Sequence, residues 1–190
     1  MYDFIRISIS LLCCILPCSI AFNLLDIHNR TTGRMGIYPC RIDLKREMIN
    51  TMNEIVIDYN NLNFHKLQLH TGSTYPLGFN NISTLCDTDD KRYFGFMRYD
   101  YSKKYNDTDI FINNDILRTP NTLYNTLYHE VLHAIGLDHT NNTGFMNYSV
   151  STDIYGNVVN DRRKLYMSVD DFKGVRYLYR RQMRKNQKNK

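Results

Sequence analysis

The sequence predicts a single mixed α/β domain, and three features carry that expectation. Leu44, Glu47, Met48, Met52, Ile55, Val56 and Tyr59 recur at helical spacing with polar residues between them. Short apolar or alternating runs elsewhere read as strands, the most compact being Asp109-Ile110-Phe111-Ile112-Asn113. A second helix opens at Thr119-Pro120, just after that run. With 190 residues, 43% hydrophobic content, 15 Tyr and 9 Phe, the chain can bury a sizeable core. It divides into three parts: a leader at 1–21, a domain at 22–179 and a basic tail at 180–190.

The leader resembles a secretory signal peptide. Arg6 supplies positive charge, 7–20 is mostly apolar, and Ser19-Ile20-Ala21 places small residues where a signal peptidase reads them. An uncleaved anchor is the alternative, but the run is shorter than the ~20 residues a spanning helix needs and Pro17 interrupts it. Cleavage before Phe22 removes Cys13, Cys14 and Cys18 and predicts a secreted, extracellular chain. Cys40 and Cys86 remain. A disulfide is the preferred reading, two buried thiols the plainer one, and a latch of Cys40 on a metal a third. Sequons at Asn29, Asn81, Asn106, Asn141 and Asn147 become glycan acceptors if the chain takes the secretory route.

Within the domain, 36–42 reads as a strand, with Pro39 favouring a sheet edge. Asp43 is a plausible cap for the first helix, which Asn60-Asn61 ends. Residues 62–69 suggest a second strand. The Gly, Pro, Asn, Ser and Asp content of 71–90 reads as loop. Asp87, Asp89 and Asp90 there offer oxygen ligands for Ca²⁺, but they match no EF-hand, and a solvated acidic turn is preferred. Residues 93–99 are aromatic and strand-like.

The most informative stretch is His129-Glu130-Val131-Leu132-His133-Ala134-Ile135-Gly136-Leu137-Asp138-His139. Histidines four apart share one helix face, so both imidazoles can reach one metal ion. Glu130 is placed to act on a metal-bound water. Gly136 lets the backbone leave the helix, and the turn can return His139 as a third ligand. Core histidines in a buried helix are the competing reading. Three of the chain's six histidines at these offsets argue against it. Thr119 and Pro120 mark the helix start, and Leu123, Leu127, Val131 and Ile135 form its core face.

This H-E-x-x-H-x-x-G-x-x-H pattern resembles that of the metzincin zinc endopeptidases. Met146 follows at the place of the family's methionine turn, an apolar floor under the imidazoles. Ser168-Val169-Asp170-Asp171-Phe172-Lys173-Gly174-Val175-Arg176-Tyr177-Leu178-Tyr179 is similar to the closing helix of matrixins. Ser168 and Asp171 form a capping-box variant, and Phe172, Val175, Leu178 and Tyr179 fit its buried face. The resemblance implies an α/β fold of the zincin type: a twisted, mostly parallel five-stranded sheet, three helices and an open cleft. It also implies that 110–113 is the edge strand on which substrate lies.

The resemblance further implies one catalytic Zn²⁺ held by His129, His133 and His139, with Glu130 as the catalytic base. Tyr148 is similar to the transition-state tyrosine of astacins and serralysins. The upstream histidines His65 and His70 are too few for the structural zinc set that matrixins usually carry. The expected activity is endoproteolysis of protein or peptide substrates by a monomer. A zinc-containing module that captures peptides or inhibitors is the alternative, and an intact Glu130 argues against it. The net charge of +5 owes much to Arg180, Arg181, Arg184, Lys185, Lys188 and Lys190. A frayed, solvated terminus is the simpler reading of that tail; a patch for acidic glycans or membranes is the sharper one. No nucleic-acid module is recognisable.

Overall fold

A computed structural model describes residues 25, 34–64, 66–71, 81–99, 108–140, 144–147 and 165–188. The proposed leader and its cleavage site lie outside these residues, as do Asn29, His65, Asn106, Asn141 and Tyr148.

The elements run β1 (Arg34–Pro39), α1 (Arg46–Asn60), β2 (Lys66–Leu69), β3 (Asn81–Thr88), β4 (Gly95–Tyr99), β5 (Thr108–Asn113), α2 (Pro120–Ile135) and α3 (Val169–Lys188). A short 3₁₀ turn at Asn114–Ile116 joins β5 to α2. The five strands form one sheet in the order β2-β1-β3-β5-β4. Every pairing is parallel except β4 with β5. Helix α1 packs on β2, α2 packs on β4 and β5, and the two helices touch each other. Both therefore cover one face of the sheet. The expected mostly parallel five-stranded sheet with three helices is what the chain adopts.

The core lies between that face and the helices. Met48, Met52, Ile55 and Tyr59 are the buried stripe of α1, and Ile37, Leu67, Leu85, Ile110 and Ile112 meet it from the strands. Helix α1 begins later than the sequence suggests. Its N-cap is Lys45, which makes no side-chain cap bond, while Asp43 pairs with Arg41 at 3.4 Å. Leu44 still packs into the core ahead of it. Asn60 closes the other end by holding β2: its amide donates to the Leu67 carbonyl at 3.0 Å, and its oxygen accepts from the Leu67 N–H at 2.9 Å.

Three expectations about strands need correction. The span 71–90 is not all loop, because 81–88 is β3, the central strand. Its polar composition hides this. Ser83 is buried, but its hydroxyl shares a hydrogen bond of 2.5 Å with Thr108 on β5, so burial leaves it satisfied. Thr84 likewise donates to Asp109. Second, β1 is an interior strand despite Pro39. The proline ends the strand, opposite Leu85, where its missing N–H interrupts little of the ladder. Third, 110–113 is not the sheet edge. Strand β5 sits between β3 and β4, and the edge belongs to β4.

Cys40 and Cys86 are bridged, with their Cα atoms 5.4 Å apart. The register explains this. Pro39 faces Leu85 across the β1–β3 ladder, so the next residue of each strand forms the following pair, and Cys40 N–H continues it by donating to the Leu85 carbonyl at 2.9 Å. A bridged Cys40 has no thiol to offer a metal.

The acidic turn is engaged locally. Asp87 pairs with Arg41 at 2.7 Å, Asp90 with Arg92 at 2.6 Å, and Asp89 accepts from the Asn114 amide at 2.7 Å. The basic tail is also not a frayed coil: α3 continues unbroken from Val169 to Lys188.

Candidate metal centre

The centre is built on α2. Thr119 is its N-cap, as expected, but without a side-chain bond. Pro120 supplies the start through a ring that pre-sets φ and needs no N–H partner. Leu123, Leu127, Val131 and Ile135 are buried, so the 3.6-residue period turns His129 and His133 to a common side. Gly136 ends the helix at φ 121°, a conformation that strains any residue with a Cβ. The chain then turns back through Leu137 and Asp138 to His139.

Three imidazoles converge. His139 Nε2 lies 3.2 Å from His129 Nε2 and 3.1 Å from His133 Nε2. Nitrogens bound to one tetrahedral Zn²⁺ at ~2.1 Å stand about 3.4 Å apart, so this spacing fits that ion. Among the described residues these three form the one group of three or more metal-ligating side chains.

The tautomers agree with that assignment. His129 Nδ1 lies 2.5 Å from the Phe145 carbonyl, and His133 Nδ1 lies 2.7 Å from the Leu137 carbonyl. A carbonyl only accepts, so each Nδ1 carries the proton and donates. Each of these two Nε2 atoms then presents a lone pair toward His139 Nε2, an arrangement that suits a shared cation. Burial lowers the imidazole pKa to about 3 at His129 and about 4 at His133. His139 shifts in the same direction for the same reason. All three are therefore neutral near pH 7, the form that binds metal.

Glu130 follows His129 and is 5% exposed. Burial pushes its carboxyl up to about 8. A carboxyl tuned this way can hold or release a proton near neutrality, which suits a general acid–base.

The floor of the site is a short turn held from two sides. Met146 is fully buried, and its carbonyl accepts from Thr140 N–H at 2.7 Å. Phe145 stacks on Tyr128 of α2 with ring centroids 4.2 Å apart. Its N–H donates to Asp171 Oδ2 at 3.1 Å, while its carbonyl orients His129. Asp171 therefore reaches His129 through a single residue, Phe145. The same carboxylate oxygen accepts from Ser168 N–H at 2.9 Å, and Ser168 Oγ accepts from Asp171 N–H at 3.0 Å. The expected capping box is thus present, and it also clamps the turn. Gly144 is required beside it: at φ +142°, any Cβ would land on the Asp171 carboxylate.

Sequence reasoning assigns Met146 as the floor and Asp171 as a cap. It misses the role of Asp171 beneath the metal centre and the two carbonyls that fix the imidazoles. Backbone carbonyls leave no mark in residue identity. The pairing of Gly144 with Asp171 is the available signal, a glycine just before the methionine and an acid in the closing helix. Phe172, expected in the buried face of α3, is 37% exposed and packs on Phe64 at 5.1 Å. Val175 is buried as expected.

No individual curated protein matches the chain. The family model for peptidase M10, matrixin, matches residues 49–180. That span contains α2, the three histidines, the Phe145–Met146 turn and the first half of α3. Matrixins are zinc metallopeptidases, and the histidine cluster fits a zinc site. On that match and this fold, the chain belongs to the matrixin family.

Proposed function

We propose that this protein is a secreted, zinc-dependent endopeptidase that cleaves protein substrates. The observation that carries the proposal is the meeting of three histidine Nε2 atoms, with the buried carboxyl of Glu130 next to His129 in the helix. His129, His133 and His139 would hold the ion. When bound, zinc acidifies water and polarises the scissile carbonyl. Glu130 accepts the proton of the attacking water and delivers it to the departing amine, so the proton is conserved across the cycle. Charge on the neighbouring ion favours the carboxylate form that begins this sequence. Tyr148 is proposed to donate a hydrogen bond to the developing oxyanion.

Extended substrate is proposed to pair with β4. It is the sheet edge on the side that α2 covers, so its outer backbone groups are available to another strand. It also runs close to the helix that carries the ligands: a Cβ on Gly95 would sit 2.7 Å from Thr126, one turn before His129 and Glu130. Pairing through backbone bonds reads side chains weakly, so preference falls to the pocket beside the metal.

Secretion is supported by the leader sequence and by the Cys40–Cys86 bridge, which needs an oxidising compartment. The sequons are then available for glycosylation, and the chain is proposed to act as a monomer. A capture module without catalysis is the second reading, but peptide capture has no need of Glu130. Incubating the purified protein with a diverse peptide library, with and without chelator, tests the proposal. Chelator-sensitive cleavage is expected. A zinc-loaded protein that binds peptides without cutting them would establish the capture module instead.

A further inference from the structure

Helix α3 has two unlike halves. The first is anchored: Asp171, Gly174 and Val175 are buried, and Phe172 and Tyr179 pack on Phe64 at 5.1 and 5.8 Å. The second continues to Lys188 with Met183 as its one apolar residue. No acidic residue follows Asp171 in the sequence, whereas Lys173, Arg176, Arg180, Arg181, Arg184, Lys185, Lys188 and Lys190 are cationic.

Helical spacing arranges these charges. Positions 173, 176, 180, 184 and 188 succeed one another at three- or four-residue intervals and share one side of the helix. All five are exposed. The buried positions 171, 174, 175 and the half-buried 178 occupy the other side. The stripe runs from 173 to 188, about 22 Å along the axis. Lys173 is partly compensated by Asp170 at 3.7 Å. Past it, like charges face each other at repelling distance along a single helix. The helix dipole accounts for cations in the last turn only, and the stripe begins four turns earlier.

We propose that this face of α3 is a docking surface for a linear sulfated polysaccharide. The complementarity is one of shape and charge: a straight row of cations, mostly arginine, matched to a chain of anionic oxygens that guanidinium groups bind in pairs. A lipid surface fits less well. An interfacial helix buries a continuous apolar side in the bilayer, whereas the exposed apolar residues of α3, Val169, Phe172, Tyr177 and Met183, are interrupted by Arg176 and Arg180. Duplex nucleic acid fits less well too, because the proposed secretory route, which the Cys40–Cys86 bridge supports, brings the chain to extracellular glycans. The stripe lies on the side of α3 opposite its buried residues, so docking there leaves the packed side of the helix in place. Docking would concentrate the proposed peptidase on sulfated matrix.

The test uses the full chain after leader removal. Binding to heparin is measured over a range of salt concentrations for wild type and for the triple variant Arg176→Gln, Arg180→Gln, Arg184→Gln. The variant should bind at least about tenfold more weakly, with a shallower dependence of log K on log salt, since fewer counterions are released. Cleavage of a short peptide should be unchanged. Glu130→Ala should bind heparin like wild type, which separates this proposal from the catalytic one. Desulfated heparin should compete poorly. Equal binding by the triple variant would overturn the assignment, as would tighter wild-type binding to phosphatidylserine vesicles or to a DNA duplex at matched salt. If circular dichroism shows that the glutamine variant has lost helix, the Arg→Lys triple decides. Binding within a few-fold of wild type supports the stripe, and binding as weak as that to desulfated heparin overturns it.

Discussion

Helices α2 and α3 both hold the Phe145–Met146 turn, but they are built on opposite plans. Helix α2 grips it through His129, and twelve of its sixteen residues are buried. Helix α3 grips it through Asp171, then turns most of its length to solvent. Polar groups survive burial on α2 because they find partners there. His129 and His133 donate to carbonyls, and Tyr124 donates to Asp58 at 2.5 Å. On α3 the charges stay hydrated and only the first half is committed. One helix therefore carries the candidate metal site, while the other is a clamp with a free arm.

The sharpest way to break this comparison is Glu130→Ala. Peptide cleavage should fall by roughly 10²–10⁴-fold, the usual worth of a general acid–base, with zinc content unchanged by elemental analysis. An active variant would remove α2's claim to the chemistry. Next is Leu127→Ala, a fully buried α2 position. It should cost about 2–5 kcal/mol in urea unfolding. Asp171→Ala follows. It strips the Phe145 and Ser168 N–H groups of their acceptor, at a cost of roughly 1–3 kcal/mol, and should weaken zinc binding about 10–100-fold by loosening the carbonyl that orients His129. Unchanged zinc affinity would reduce Asp171 to an ordinary cap. Arg181→Gln, exposed on α3, should change stability by no more than about 0.5 kcal/mol.

A pH series on chelator-treated protein sharpens the same contrast, because the largest shifts of groups that titrate near neutrality are on α2. His129 and His133 have folded pKa values of about 3 and about 4, below their ordinary 6.5. The unfolded chain thus takes up protons first as pH falls below 6.5, and stability is lost in that direction. Glu130 has a folded value of about 8, above its ordinary 4.5. The folded chain holds that proton longer, so stability is lost as pH rises from about 4.5 to 8. His129 and His133, with His139 and His70 lowered in the same direction, outweigh one glutamate below 6.5, and the glutamate prevails well above it. The metal-free protein should be most stable near neutrality, read from urea midpoints. A midpoint that rises or falls steadily through neutrality would contradict the assignment.

Much of the site is legible in the sequence because its parts are local. Helix period, Thr119-Pro120 and the offsets of His129, His133 and His139 lie in one segment and encode each other. Met146 and the Ser168–Asp171 box follow from short motifs. What stays hidden is set by contacts between distant segments. Strand β3 reads as loop because Ser83 and Thr84 look like turn residues until Thr108 and Asp109 satisfy them across the sheet. The resemblance puts the edge at 110–113, and nothing in that run's apolar pattern says which strand pairs outside it. The link from Asp171 to His129 passes through the backbone of Phe145, which no residue pattern records. The helical path of the basic tail is obscured by its polarity, since an isolated run of that composition reads as solvated coil.

The bridge between Cys40 and Cys86 has a consequence for the covalent map of the molecule. The loop it closes contains α1, β2 and the connection into β3. A single backbone cut anywhere between the two cysteines therefore leaves one particle with two chains. Such a nicked peptidase would run as one band on a non-reducing gel and as two after reduction. The staple thereby converts a potentially fatal clip into a break that the rest of the fold can outlast.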